Sequence, residues 1–143
     1  MAYHRMTDAE ALEFLASPVR PGMLATTRKD GRPHVAPVWY VVDNGTLLFN
    51  TGSGTVKGRT LTRTGYAALC VQDDQAPFSF VTVEGHVTIS EDLDDVRRWA
   101  AVIGGRYMGE DRAEEYGARN GVPGEVLVRL TPERILSARD LAN

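Results

Sequence analysis

Hydrophobic positions in this chain gather in short runs rich in β-branched and aromatic residues, separated by glycine, proline and acidic residues. Such runs are typical of strands, and they occupy residues 22–27, 33–42, 46–51, 66–72, 78–89 and 125–130, with a short last one within 131–137. Turn signals at Asp30-Gly31 and Asn44-Gly45 separate the first three runs, because glycine tolerates the positive φ of a tight turn. We therefore expect these three strands to form an antiparallel meander.

Helical patterns are fewer. Thr7 and Glu10 have the spacing of a capping box, which predicts a helix over 8–16 that covers one end of the core. From Ser90 onward, apolar residues recur at intervals of three and four and predict a longer helix; they are Leu93, Val96, Ala100, Ile103 and Tyr107. A second short helix is expected within 110–121. Six to seven antiparallel strands with few helices favour a mainly β fold of barrel type.

Composition places this fold in a single domain, residues 1–143. The chain is 43% hydrophobic, which is enough for a core that needs no disulfide or metal. The net charge of −3 argues against nucleic acid as a partner. The start of the chain lacks the apolar segment of a signal peptide, and no stretch is apolar enough for a membrane span. With one cysteine, Cys70, no internal disulfide is possible, which points to the cytoplasm.

Most side chains that commonly carry chemistry stand alone. His4, His34 and His86 lack the close spacings of a metal site, so no metal is expected. Cys70 lies in an apolar run, and we interpret it as a small core residue and not as a nucleophile. There is no Gly-x-Ser-x-Gly elbow, which leaves hydrolysis through a covalent intermediate without support.

The segment 49–63 carries the clearest functional signal. A strand leads into Gly52 and Gly54, and a basic helix containing Lys57, Arg59 and Arg63 follows. A helix start offers free amide groups and partial positive charge, so a phosphate site is expected there. The spacing fits neither the Walker loop nor the dinucleotide fingerprint. The alternative interpretation is a plain glycine hairpin that leads to a solvated basic helix.

Trp39 and Tyr40 are adjacent in a predicted strand. Neighbouring side chains in a strand point to opposite faces, so one of these two rings must leave the core. The outward ring would suit a planar ligand or a subunit interface.

Several segments together resemble the pyridoxamine 5′-phosphate oxidase-like split β-barrel superfamily, and in particular its deazaflavin-dependent branch, the flavin/deazaflavin oxidoreductases of class B. The similar segments follow the family's order and are 23–27, 30–35, 48–61, 83–87 and 132–135. The resemblance implies an FMN-binding-like split barrel and a homodimer, with two cofactor sites at the subunit interface.

The resemblance also implies a set of cofactor-binding residues. Thr51 and Lys57 match the positions that hold the cofactor phosphate, with Ser53 and Thr55 in the same turn. The strand along the edge of the cofactor ring corresponds to Ala36, Pro37, Val38 and Trp39. Ser79 and Phe80 would reach the site from the other subunit.

Two departures from the family bear on the cofactor. Val56 stands where pyridoxamine phosphate oxidases have an arginine, and their arginine-rich C-terminal signature is missing, which disfavours pyridoxamine phosphate oxidation. The remaining cations would suit the acidic oligoglutamyl tail of coenzyme F420, by a hypothesis from charge placement alone; they are Arg28, Lys29, Arg32, Arg59 and Arg63.

The leading hypothesis is therefore an oxidoreductase in which reduced coenzyme F420 passes a hydride to an unsaturated or conjugated small molecule. Lys57 would hold phosphate and Trp39 would bound the ring pocket. Water, Tyr40 or His34 would supply the proton. Two alternatives remain open, an FMN-dependent oxidoreductase and a non-catalytic flavin or deazaflavin carrier. Residues 104–124 are the candidates to cover the pocket.

Overall fold

The computed structural model describes residues 4–143. Its eight strands are β1 Gly22–Thr27, β2 Pro33–Val38, β3 Val41–Asp43, β4 Thr46–Gly52, β5 Tyr66–Asp73, β6 Ser79–Ser90, β7 Glu125–Leu130 and β8 Arg134–Ala138. Its helices are α1 Asp8–Ala16, α2 Val56–Thr64, α3 Leu93–Met108 and α4 Ala113–Asn120, with a 3₁₀ turn at Glu110–Arg112 between the last two. The strand and helix content confirms the predicted mainly β class.

All strand pairs are antiparallel, and the sheet runs in the order β2-β1-β5-β6-β7-β4-β3, with β8 on β6. The long strand β6 pairs with β5 and β8 along its first part, and its end, from Val87 to Ser90, pairs with β7. One strand thus belongs to both halves of the sheet. The sheet curls into a half-barrel, as the split-barrel prediction requires.

The predicted three-strand meander is wrong. The run 33–42 breaks at Trp39 and Tyr40, so that β2 lies at one end of the sheet and β3 with β4 at the other. Tyr40 explains the break, because its ring is fully buried and its hydroxyl donates a 2.6 Å hydrogen bond to the carbonyl of Leu15 in α1. The chain crosses the barrel at this dipeptide, which we call the crossing segment.

The core fills the inside of the half-barrel. It includes fully buried side chains from both halves of the sheet, among them Phe49, Leu69, Val83 and Val128. Helix α1 closes one end through the buried Ala11 and Leu15, and the predicted capping box is present at its start. Burial of an aliphatic or aromatic side chain of this size contributes about 1.5 to 3 kcal/mol.

The two halves of the sheet differ on their outer surfaces. Helix α3 covers the outer face of β4 and β7, where Val96 packs against Leu48 and Leu127. No helix within residues 4–143 covers the outer face of the other half, and we call it the outer apolar face. It presents Met23, Val35, Tyr66 and Leu136, which are 41–57% exposed.

Cys70 also lies on the outer apolar face, opposite Met23, and it is half-buried. The expectation of a core cysteine is therefore wrong, because strand alternation turns this position outward. Among residues 4–143, no helix has the length and apolar character to cross a bilayer. Within the same range, no three histidine, cysteine or carboxylate side chains gather as a metal site needs.

Candidate functional site

The glycine turn and the start of α2 form one rigid unit. The hydroxyl of Thr55 donates to the carbonyl of Gly52 at 2.7 Å and accepts from the amide of Gly58 at 3.1 Å, so Thr55 caps the helix. The hydroxyl of the buried Thr51 lies 3.4 Å from that of Thr55. The strand, the turn and the helix predicted from 49–63 are all present.

Gly58 allows the turn to lie directly on the helix. A Cβ atom at this position would come 2.1 Å from the carbonyl oxygen of Gly52, so no other residue fits without displacing the backbone. The amide groups of Val56 and Lys57, in the first turn of the helix, have no partner inside it. They lie where an anion is expected to bind.

A cleft of about 340 Å³ lies beside this unit. Its floor is the outer face of β4 and β7 beyond the part that α3 covers, and one wall is the crossing segment. The apolar lining includes Pro37, Trp39 and Ile103, and the polar side chains that line it are Asn50, Lys57, Asn120 and Glu125.

The polar groups of this cleft are incompletely paired. The Nδ2 atom of Asn50 is buried and has no hydrogen-bond partner among the described residues. Burial raises the pKa of Glu125, and the charge of Lys57 lowers it in part. In the described part of the chain, Lys57 makes no ion pair within 4 Å. A buried donor without a partner costs free energy, so the cleft is suited to a polar ligand.

Trp39 forms the aromatic wall of the cleft. Its side chain points outward and is 38% exposed, whereas that of Tyr40 points into the core. The sequence predicts this division, because one of the two rings must leave the core. Its indole stacks on Tyr107 of α3 and makes a tilted contact with Tyr116 of α4, at a centroid distance of 5.9 Å. The hydroxyl of Tyr107 donates to the carbonyl of Arg20 at 2.7 Å, which fixes the wall to the barrel.

The segment 104–124 contains the end of α3, the 3₁₀ turn and α4. The two helices pack tightly at Gly104, where a Cβ atom would come 2.2 Å from the Cβ of Tyr116. Asn120, the last residue of α4, lines the cleft. Through Asn120, the segment expected to cover the pocket forms one side of it.

A second, basic groove lies on the other side of α2, with a volume of about 360 Å³. Four of the five predicted cations line it, namely Arg28, Lys29, Arg59 and Arg63. The guanidinium of Arg63 also donates to the carbonyl of Thr27. Arg32 was wrongly included in this set, because it pairs with Asp30 at 2.8 Å and lies outside the groove.

The other predicted cofactor-binding residues are spread more widely. Ser53 is exposed in the glycine turn, Val38 lines the cleft, and Ala36 is half-buried on β2. Ser79 and Phe80 lie away from the cleft of their own chain, where the Ser79 hydroxyl accepts from the amide of Asp140 at 3.1 Å. That they reach the site of a second subunit stays a prediction.

Neither predicted proton donor lines the cleft. Burial raises the pKa of Tyr40 to about 12, and its hydroxyl is already bonded to Leu15, so Tyr40 is wrong as a proton donor. His34 faces Thr26 across β1 and β2, and its Nδ1 atom is buried and finds no hydrogen-bond partner in residues 4–143. Water is the remaining proton source among those considered.

The sequence missed Asn50, Asn120, Glu125 and Tyr107. Asn50 and Glu125 share a face only because β4 pairs with β7, in the register Gly52 with Glu125 and Asn50 with Leu127. The alternation of side chains along each strand predicts which way Asn50 and Glu125 point. No local signal predicts that β4 and β7 are neighbours.

Known proteins of similar sequence and structure place this site in context. A protein of Mycobacterium tuberculosis (strain CDC 1551 / Oshkosh), named F420H(2)-dependent biliverdin reductase, is 31% identical over 139 residues, covering 96% of this chain and 91% of that protein. The crystal structure of a conserved hypothetical protein from Mycobacterium tuberculosis has a TM-score of 0.83 and 27% identity, covering 98% of this chain and 89% of the other. A solved structure named F420 reductase has a TM-score of 0.69 and 26% identity, with 87% and 94% covered.

The sequence profile of the family described as pyridoxamine 5′-phosphate oxidase matches residues 7–138, which is nearly the whole described chain. The strand order, the glycine turn and the cleft beside it agree with the resemblance noted in the sequence. The chain therefore belongs to the pyridoxamine 5′-phosphate oxidase-like split β-barrel family.

Proposed function

We propose that this protein is a coenzyme F420-dependent reductase of conjugated small molecules. The observation that carries the proposal is the position of α2, which has a cleft with Lys57 on one side and a basic groove with Arg59 and Arg63 on the other. A cofactor with a ring, a phosphate and an acidic tail has parts that match both cavities. The name of the 31% identical relative supports the same cofactor.

The residues present fit this cofactor. Lys57 and the free amides at the start of α2 would hold the phosphate, and the unpaired Nδ2 of Asn50 would donate to a polar atom of the ligand. Trp39 would lie against the ring system or its acceptor. Arg28, Lys29, Arg59 and Arg63 would pair with tail carboxylates. When bound, reduced coenzyme F420 supplies a hydride, and the protein supplies orientation and charge.

The proposed acceptor is a planar, conjugated molecule. Trp39 presents a flat ring held by Tyr107, and offset stacking of such rings contributes about 0.5 to 1.5 kcal/mol beyond the burial of area. The acceptor gains the hydride together with a proton from water. Biliverdin is the first acceptor to test, because the M. tuberculosis relative is named for it.

The decisive experiment is a titration of the purified protein with oxidised and reduced coenzyme F420, followed by turnover with a panel of conjugated acceptors at 420 nm. We expect binding at micromolar concentration or better and growth of absorbance as the cofactor is oxidised. Loss of a charge-assisted contact weakens binding by about 1.5 to 3 kcal/mol, so Lys57→Ala should raise the Kd by about 10-fold to 150-fold, and Lys57→Arg should restore most of it. Failure of both cofactor forms to bind would remove the proposal.

The same titration distinguishes the alternatives. An FMN enzyme would purify yellow and prefer FMN to coenzyme F420. A carrier would bind the deazaflavin tightly and turn over no acceptor in the panel.

We further propose that the protein forms a homodimer through the outer apolar face. Met23, Val35, Tyr66 and Leu136 leave a broad apolar surface uncovered on one sheet, and patches of this kind are typical of protein interfaces. Light scattering coupled to gel filtration should give twice the mass of 15.7 kDa. Leu136→Glu should halve that mass, and Val122→Glu, at an exposed site near the end of α4, should leave it unchanged.

A further inference from the structure

Glu125 lines the same cleft as Lys57, and it has no part in the proposed cofactor contacts. It begins β7 opposite Gly52, and its Oε2 atom lies 3.2 Å from where a Cβ atom of Gly52 would be. The carboxylate therefore rests on the glycine turn itself.

The charges of the cleft are balanced. Of the residues that line it, Lys57 is the one cation and Glu125 the one acid. Glu125 is half-buried and makes no side-chain hydrogen bond within residues 4–143. An anion that binds Lys57 therefore lies close to the negative charge of Glu125 in the same cleft.

We propose that Glu125 disfavours a phosphate monoester, which carries nearly two negative charges, relative to a phosphodiester, which carries one, in this cleft. The inference rests on the proposed function, since it assumes that the cofactor phosphate binds at Lys57. A singly charged diester satisfies the one cation and meets modest repulsion. A doubly charged monoester is attracted twice as strongly to Lys57 but repelled twice as strongly by Glu125, so the carboxylate cancels the advantage that the extra charge would otherwise have.

The two candidate cofactors differ in this feature. Coenzyme F420 joins its side chain to the lactyl and glutamyl tail through a phosphodiester, whereas FMN ends in a monoester. A phosphate monoester has a second pKa near 6 and carries about −1.5 to −2 charges at pH 7. Glu125 thus acts against FMN by charge, in addition to the missing arginine at Val56.

The test compares each ligand with itself in wild type and Glu125→Gln, so that contacts which do not involve the charge of Glu125 cancel. Dissociation constants are measured by fluorescence at pH 8 and low salt for coenzyme F420, FMN and riboflavin, which has no phosphate. Removal of one nearby charge should strengthen F420 binding about tenfold and FMN binding about a hundredfold. Riboflavin binding should stay the same.

Two variants serve as controls. Glu125→Asp keeps the charge and should keep the discrimination against the monoester. Glu13→Gln removes an exposed acid from α1, outside the cleft, and should alter no ligand's affinity by more than about twofold.

The outcomes separate the inference from the proposed function. If Glu125→Gln shifts FMN and riboflavin by the same factor, or shifts F420 as much as FMN, the role of Glu125 is overturned even though F420 binds. If wild type fails to bind F420, the proposed function falls, and the ratio of FMN to riboflavin affinity in the two proteins still decides whether Glu125 repels a monoester.

Discussion

The indole of Trp39 lies parallel to the ring of Tyr107, with ring centroids 5.0 Å apart and planes inclined by 5°. Tyr107 is itself fixed by two hydrogen bonds of its hydroxyl, donated to Arg20 and accepted from the amide of Tyr40 at 3.2 Å. The orientation of the cleft wall thus depends on Tyr107 of α3, which contacts both residues of the crossing segment, Trp39 and Tyr40.

Tyr107→Ala should release Trp39 from this orientation. We expect a loss of about 3 kcal/mol in the free energy of unfolding and a red shift of Trp39 fluorescence, measured in a Trp99→Phe background because the chain has two tryptophans. Tyr107→Phe keeps the stack and should keep the emission spectrum, at a cost of about 1 to 2 kcal/mol for the lost hydrogen bonds. An unchanged spectrum in Tyr107→Ala would show that Trp39 is held by other contacts.

Arg59 and Arg32 form a matched pair for the basic groove. Arg59 lines it and Arg32 is bound to Asp30 outside it. Arg59→Gln should weaken binding of F420 with a long glutamyl tail about fivefold, since an exposed ion pair contributes up to about 1 kcal/mol, and should reduce the salt dependence of the Kd. Arg32→Gln should change neither. Equal effects of the two substitutions would indicate a general attraction in place of a defined groove.

Gly58→Ala should disrupt the glycine turn at which we propose that phosphate binds. The new methyl group would overlap the Gly52 carbonyl, and overpacking of this kind costs about 1 to 3 kcal/mol. Chemical denaturation should show this loss, and F420 affinity should fall with it. Gly54→Ala is the control, because nothing lies within 4 Å of its Cβ position, and its stability should stay within about 0.5 kcal/mol.

Tyr40 should make stability fall at alkaline pH. Its pKa is about 12 in the folded protein against a usual value of 10, so the unfolded chain loses this proton first. The stabilising contribution is complete below pH 10 and is lost as the pH rises toward 12, by about 2 to 3 kcal/mol. In Tyr40→Phe this alkaline loss should shrink, as measured by urea unfolding at pH 8 and pH 11.

Local signals predicted the elements well. The capping box at Thr7 fixes the start of α1, and the glycine turn fixes the start of α2, because each depends on residues a few positions apart. The register of β4 with β7 depends on the packing of the whole barrel, and it alone brings Asn50 and Glu125 into the cleft. Trp39 and Tyr40 are good strand residues by propensity, yet burial of Tyr40 ends the strand there.

Family resemblance supplied Lys57, which lines the cleft, and the residues of the turn beside it. It did not supply the bond of Arg32 to Asp30, which removes a cation from the groove. Arg32 and Asp30 are only two residues apart, so a sequence can suggest that they pair. The turn conformation that allows the ion pair depends on the hairpin.

Lys57 and Arg63 belong to the same nine-residue helix, one facing the cleft and the other the groove. The spacing of these two cations along the helix is therefore set before any ligand arrives. When a ligand bridges them, the entropy cost of binding comes mainly from ordering the ligand, because the helix is already formed. We therefore expect α2 to favour ligands whose two charged groups are separated by the width of one helix.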